Sequence, residues 1–212
     1  MRGVTAAGAV AGGAVCFALL LAGGFGAFAA LFAVFALTWG ATRLGYERKR
    51  RSGLAEPQVG RTASQVLANL GVAAACSLLY TFIWRDLRLL VCLAASLSEA
   101  AADTVSSEMG KAFGGAASLI TTWKPVPAGT DGGVTFLGTL AGVFSAVLIA
   151  FTCAAGEIFL WQLAWIAAAA GAVGMMADSI LGATVERRGI LGNNAVNFLS
   201  TAIAALMAFL AA

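Results

Sequence analysis

Seven apolar stretches constrain this chain more than any motif in it. They lie at 4–22, 25–44, 65–84, 87–109, 134–155, 158–177 and 195–211. Each approaches the roughly 20 residues that an α-helix needs to cross the hydrocarbon core of a bilayer. Inside a bilayer the backbone must satisfy its own hydrogen bonds, so runs of this length read as helices. Of the 212 residues 60% are apolar and only 11% charged, whereas a soluble domain carries about 25% charged residues. Such a chain cannot cover its own surface with polar groups. That excludes a soluble enzyme, a disordered chain and a nucleic-acid binder. The fold class is an all-α polytopic transmembrane bundle of about seven spans, a single integral membrane domain over 1–212. Gly23-Gly24 breaks the first run from the second; six spans, with the first run re-entrant, are the alternative.

The long basic segment between the second and third runs sets the orientation. The loop 45–62 holds Arg48, Lys49, Arg50 and Arg51, and the positive-inside rule places it in the cytoplasm. Alternation then puts Arg2, Arg43, Arg61, Lys111, Lys124, Arg187 and Arg188 on the same side, and only Arg85 and Arg88 opposite. The expected setting is a bacterial inner membrane or its equivalent, with the N-terminus and the polar loops cytoplasmic. Small residues four apart, Gly8 with Gly12 and Gly138 with Gly142, suit close helix packing. The four cysteines lie in apolar runs and share no metal-ligand spacing, and there is no histidine. Any chemistry must rest on carboxylates, amines, hydroxyls and amides.

An ionisable residue inside a span costs roughly 2.5–3.5 kcal/mol at mid-helix and points to function. The fourth run carries Glu99, Asp103 and Glu108, with Ser106 and Ser107 beside them; the sixth ends in Asp178. Asp103, Glu108 and Asp178 fall toward the cytoplasmic ends of their spans. Carboxylates gathered at one depth repel unless a cation joins them, and Mg²⁺ takes one or two carboxylates plus substrate phosphates. Packing against Arg or Lys, or a water-filled cavity without chemistry, would also satisfy them. The tetrapeptides Ala102-Asp103-Thr104-Val105 and Ala177-Asp178-Ser179-Ile180 repeat 75 residues apart. If this is a parallel internal repeat rather than chance, it brings one Asp from each half to a shared site.

The loop 110–133 holds Lys111, Lys124, Pro125, Pro127 and the run Gly129-Thr130-Asp131-Gly132-Gly133, which opens into the fifth span. A Gly-rich turn at a helix N-terminus presents backbone N–H groups to an anion, and the lysines add point charges for phosphate. Thr130 and Ser107 are further donors, and Asp131 a further metal contact. A helix cap with turn glycines would account for Gly132-Gly133 alone. The loop 178–194 ends in Asn193 and Asn194, and Asn69 sits at the same level on the third run. These amides suit a nucleotide base or a head group, although Asn193 also suits a helix cap.

These motifs resemble the transmembrane protein 19-like family. The matching stretches are Gln65-Val66-Leu67-Ala68-Asn69, Asp103 to Gly110, Ile120 to Val134, Ala177-Asp178-Ser179 and Asn193-Asn194. That family includes the plant and cyanobacterial phytyl phosphate kinases of vitamin E biosynthesis. It is distantly similar to dolichol kinases and CDP-lipid synthases, which use CTP and Mg²⁺. The resemblance implies transfer of the terminal phosphate of a nucleoside triphosphate, CTP favoured, to an isoprenyl monophosphate. In the assignment that joins this activity to the residues above, Asp103, Glu108 and Asp178 hold Mg²⁺ with help from Asp131, and Lys111 and Lys124 neutralise phosphates. Gly129, Thr130, Gly132 and Gly133 would cradle those phosphates; Asn69, Asn193 and Asn194 would orient nucleotide or substrate. A CDP-lipid-forming cytidylyltransferase and a lipid-phosphate flippase are the alternatives. The expected partners are the bilayer and a prenyl phosphate, with no nucleic acid; a homodimer is compatible with the sequence.

Overall fold

A computed structural model of the chain describes residues 3–55 and 60–212. Arg2 and residues 56–59 of the basic loop lie outside the described residues. Six helices are long and apolar enough to cross a membrane: α1 (Ala6–Arg43), α3 (Ala63–Phe82), α4 (Arg88–Phe113), α5 (Phe136–Ala155), α6 (Trp161–Leu181, continued by one π-helical turn, Gly182–Glu186) and α7 (Asn193–Ala211). The short basic helix α2 spans Tyr46–Arg51.

The first of these is a hairpin. Gly24 leaves helical geometry at φ 53°, ψ −143°, a conformation that glycine adopts without steric cost. At the turn, Gly23 lies against Ile158 of the α5–α6 connection. At the other end, Gly3 lies 3.3–3.7 Å, measured from its ideal Cβ position, from the rings of Phe35 and Trp39. A continuous helix would hold those positions more than ~45 Å apart. The two limbs therefore run antiparallel. A close backbone contact between Gly26 and Gly156 seats the turn.

Three threonines start helices by accepting from backbone N–H groups: Thr5 from Gly8, Thr62 from Gln65 and Thr135 from Gly138. Thr62 and Gln65 complete a reciprocal capping box, satisfying two of the donors a helix start leaves open. Backbone bonds from Thr5 N to Arg61 O and Arg61 N to Gly3 O tie the N-terminus to the start of α3.

α4 is the central helix: 89% of its most apolar window is buried, against 28–39% for the other spans. Glycines let its neighbours approach, as expected where helices pack without a hydrophobic driving force. Gly138 and Gly142 of α5 meet the Ser106 and Ala102 carbonyls; Gly171 and Gly174 of α6 meet Ser98 and Glu99. The pairings rise together along α4 and α6, so these two helices run parallel. The same register brings Asp103 beside Asp178. Between α4 and α5 the Gly-rich segment forms a small antiparallel sheet, β1 (Ala117–Leu119), β2 (Pro125–Val126) and β3 (Gly133–Val134), in the order β2-β1-β3. Residues 110–113, read from sequence as loop, extend α4 by another turn.

Candidate functional site

A cavity of about 730 Å³ opens between the α1 hairpin, α3, α4 and the start of α7. One wall is apolar: Phe28, Leu31, Phe32 and Phe35 from the second limb of α1, facing Gly8 and Gly12 of the first. The other end is polar, with Arg61, Asn69, Asp103, Ser107, Lys111, Asn193 and Asn197. Of the sequence-derived candidates the structure gathers Asn69, Asp103, Ser107, Glu108, Lys111 and Asn193 around this one space.

Asp103 reaches the wall from the middle of α4, and its carboxyl neighbours that of Asp178. Ser200 of α7 neighbours both Asp178 and Glu99, the latter one turn deeper on α4, while its hydroxyl donates to the Asn197 carbonyl at 3.0 Å. Glu99 is 1% exposed. Its Oε1 and the Oδ2 of Asp178 are buried without a hydrogen-bond partner. Beyond Asp178 the cluster continues to Glu186, which lies near Asn193 and feels the charge of Asp131. The Asp103–Asp178 pair thus stands between two faces, the cavity on one side and the 129–133 turn with Glu186 on the other. Buried oxygens without donors fit a divalent cation. Among the described residues no three His, Cys, Asp or Glu side chains group to hold a metal by themselves. A cation on this pair would need substrate oxygens to complete its shell, as Mg²⁺ commonly does.

Glu108 lines the same cavity. Five residues after Asp103, it sits toward the other edge of the α4 face that borders this space. There it forms a buried ion pair with Lys49 and accepts from Lys111 Nζ at 3.5 Å. Lys49 is fully buried, although the sequence shows it only as one member of the basic loop 45–62. Its only sequence signal is that it is the single lysine among Arg48, Arg50 and Arg51. Arg61, whose guanidinium donates to the Thr104 hydroxyl at 3.2 Å, also joins the cavity wall. Asn197 is a third such addition; its amide donates to Asn69 Oδ1 at 3.3 Å.

The remaining candidates lie off the cavity wall. Lys124 is exposed beside β2. The Thr130 hydroxyl donates to the Pro127 carbonyl at 2.7 Å. Gly129 packs on Leu54, Gly133 faces the Thr130 carbonyl, and Gly132 abuts Ala183. The 129–133 turn is therefore held against the π-helical turn after Asp178. Asn194 lines a shallow recess with Thr62, Gln65 and Asn193 at the start of α7.

The family model described as an integral membrane protein matches residues 1–205 of the chain. The chain belongs to the DUF92 family of integral membrane proteins. This DUF92 chain is 35% identical over 198 residues to a membrane protein of Methanocaldococcus jannaschii, covering 92% of the chain and 79% of that relative. It is 32% identical to the PGR protein of Arabidopsis thaliana, covering 87% of the chain and 81% of that protein. With the chloroplastic VTE6 protein of the same plant it shares 29% identity over 88% of the chain and 59% of VTE6. No solved structure matches the DUF92 chain.

Proposed function

We propose that this protein is a membrane kinase that moves the terminal phosphate of a nucleoside triphosphate, CTP favoured, onto an isoprenyl monophosphate. The observation that carries the reading is the cavity, which joins an aromatic, aliphatic wall to a polar end bearing Arg61, Asp103 and Lys111. That is the shape of an amphiphile with a phosphate head and an apolar tail. The resemblance to phytyl phosphate kinases and the likeness to VTE6 support the same class of substrate.

The prenyl chain lies along Phe28, Phe32 and Phe35, and its phosphate meets Lys111, Arg61 and Ser107. The nucleotide approaches from the other face, past Asn193, Asn194 and the 129–133 turn. Asp103 and Asp178 are the carboxylates that would hold Mg²⁺, which when bound neutralises the charge on the phosphates. An oxygen of the acceptor phosphate attacks the terminal phosphorus; the bond to the bridging oxygen breaks, and the nucleoside diphosphate leaves. The acceptor oxygen is already ionised, so no general base is needed. The work left to the protein is alignment and charge neutralisation. Burying the reacting groups at the inner end of the bundle limits competing hydrolysis. The basic loop and the polar end share one end of the bundle, so the positive-inside rule places the chemistry on the cytoplasmic side.

The test is label transfer by purified protein in detergent with Mg²⁺. γ-Labelled CTP, ATP, GTP and UTP are offered with phytyl or geranylgeranyl monophosphate. The expected result is label in the prenyl diphosphate, lost in Asp103→Asn. Pyrophosphate release with a CDP-lipid product would replace the reading with a cytidylyltransferase. No turnover from any donor by folded protein would refute it.

A further inference from the structure

A fully buried lysine on a six-residue surface helix needs an account. Lys49 Nζ donates to the carbonyls of Ala41 at 3.1 Å and Thr42 at 2.8 Å, and to Glu108 Oε2. An ammonium has three N–H donors, so all of them are used inside the protein and none remains for a ligand. Two of the acceptors are carbonyls from the last turn of α1, where a cation also meets the negative end of the helix. Gly45, at φ 66°, turns the chain tightly enough to press α2 onto Ala112 and Phe113 of α4. The other oxygen of Glu108 takes Lys111, which is 24% exposed and lines the cavity.

We infer that Lys49 is a positioning residue for substrate phosphate, acting through Glu108 to leave Lys111 with a net positive charge at the cavity wall. The inference rests on the kinase reading for the identity of the ligand. Without Lys49, Glu108 is a buried carboxylate with one cationic neighbour, and it draws Lys111 into a neutral pair. With Lys49 in place the three groups sum to one positive charge, carried by the member that faces the cavity. Glu108 therefore tunes a phosphate contact and is not a ligand of the Asp103–Asp178 pair.

The charges order a set of variants. Lys49→Met and Lys111→Met each remove the net charge and weaken phosphate binding by about tenfold, the loss of one charge-assisted contact. Glu108→Gln leaves both cations and binds no more weakly than wild type. Lys49→Met with Glu108→Gln frees Lys111 again and returns to within about threefold of wild type. An exposed control, Arg50→Gln, removes a pair with Glu47 on the outer face of α2 and changes nothing. The probe is geranylgeranyl monophosphate, with its dissociation constant measured without nucleotide and its KM and kcat measured in label transfer. Uniform loss of binding appears in KM with kcat little changed. Wild-type binding without transfer would sink the kinase reading while the order of dissociation constants still tests Lys49. If Lys49→Met does not fold, Glu108→Gln and Lys111→Met carry the test. Weaker binding in Glu108→Gln, or no rescue by the double substitution, would overturn the inference.

Discussion

Two glycines of α1 offer a matched test of the hairpin. Gly26 follows the Gly24 turn, and a Cβ built on it would overlap the Gly156 carbonyl oxygen and stand 2.8 Å from Gly156 Cα. Both obstacles are backbone, so no side-chain rotation relieves them. Gly13, on the other limb, has nothing within 4 Å of its Cβ position. Replacing Gly by Ala inside a helix gains up to about 1 kcal/mol. Unfolded spans in detergent keep some helix, so the realised gain lies between zero and that figure. At Gly26 the overlap adds an overpacking cost of about 1–3 kcal/mol. Gly13→Ala is therefore neutral or slightly stabilised, and Gly26→Ala is less stable than Gly13→Ala by the overpacking cost, about 1–3 kcal/mol. Reversible unfolding in mixed micelles measures both. Proximity labels at positions 3 and 39 would separate in step with the loss if Gly26 seats the turn. Equal stability of the two variants, or a larger loss at Gly13, would refute the packing argument and with it the antiparallel hairpin.

Other predictions are more direct. Asp103→Asn lowers phosphoryl transfer by about 100-fold or more while the protein stays folded; single-turnover label transfer reads it, and a smaller loss removes Asp103 from the chemistry. Gly12 lines the cavity with open space at its Cβ position, so Gly12→Phe should penalise phytyl and geranylgeranyl substrates more than a short prenyl phosphate. Competition between chain lengths decides this, and an equal loss for all lengths would count against a tail in that groove. At the opposite end of the bundle, hydrogen bonds from Arg88 hold the Asp86 carboxyl below its ordinary value of 3.8. A depressed carboxylate stabilises the fold above its unfolded pKa, and that contribution is lost as pH falls through the folded pKa. Melting temperatures below about pH 4 should therefore fall less steeply in Asp86→Asn than in wild type.

Membrane insertion, the helical class, the break at Gly23-Gly24 and the pairing of two aspartates were all legible in the amino-acid sequence. Each follows from a local or periodic signal: run length against bilayer thickness, glycine where a helix must reverse, and a repeated Ala-Asp at matching span ends. The small residues at Gly138 and Gly142 likewise announced a packing face, and both meet α4.

Which polar residues share a space was decided by tertiary structure alone. Asp103 and Glu108 border the same cavity, and only the fold of α2 back onto α4 supplies Lys49 as the partner of Glu108. Nothing in a run of four basic residues says which one turns inward. The glycines of the 129–133 turn mark close approach without naming what approaches. Here the approaching group at Gly132 is Ala183, from the turn that follows Asp178. Local physics writes itself into residue order, because spans and turns are contiguous. A site assembled from α1, α3, α4 and α7 depends on packing between segments far apart in the chain, and that is set only when the bundle closes.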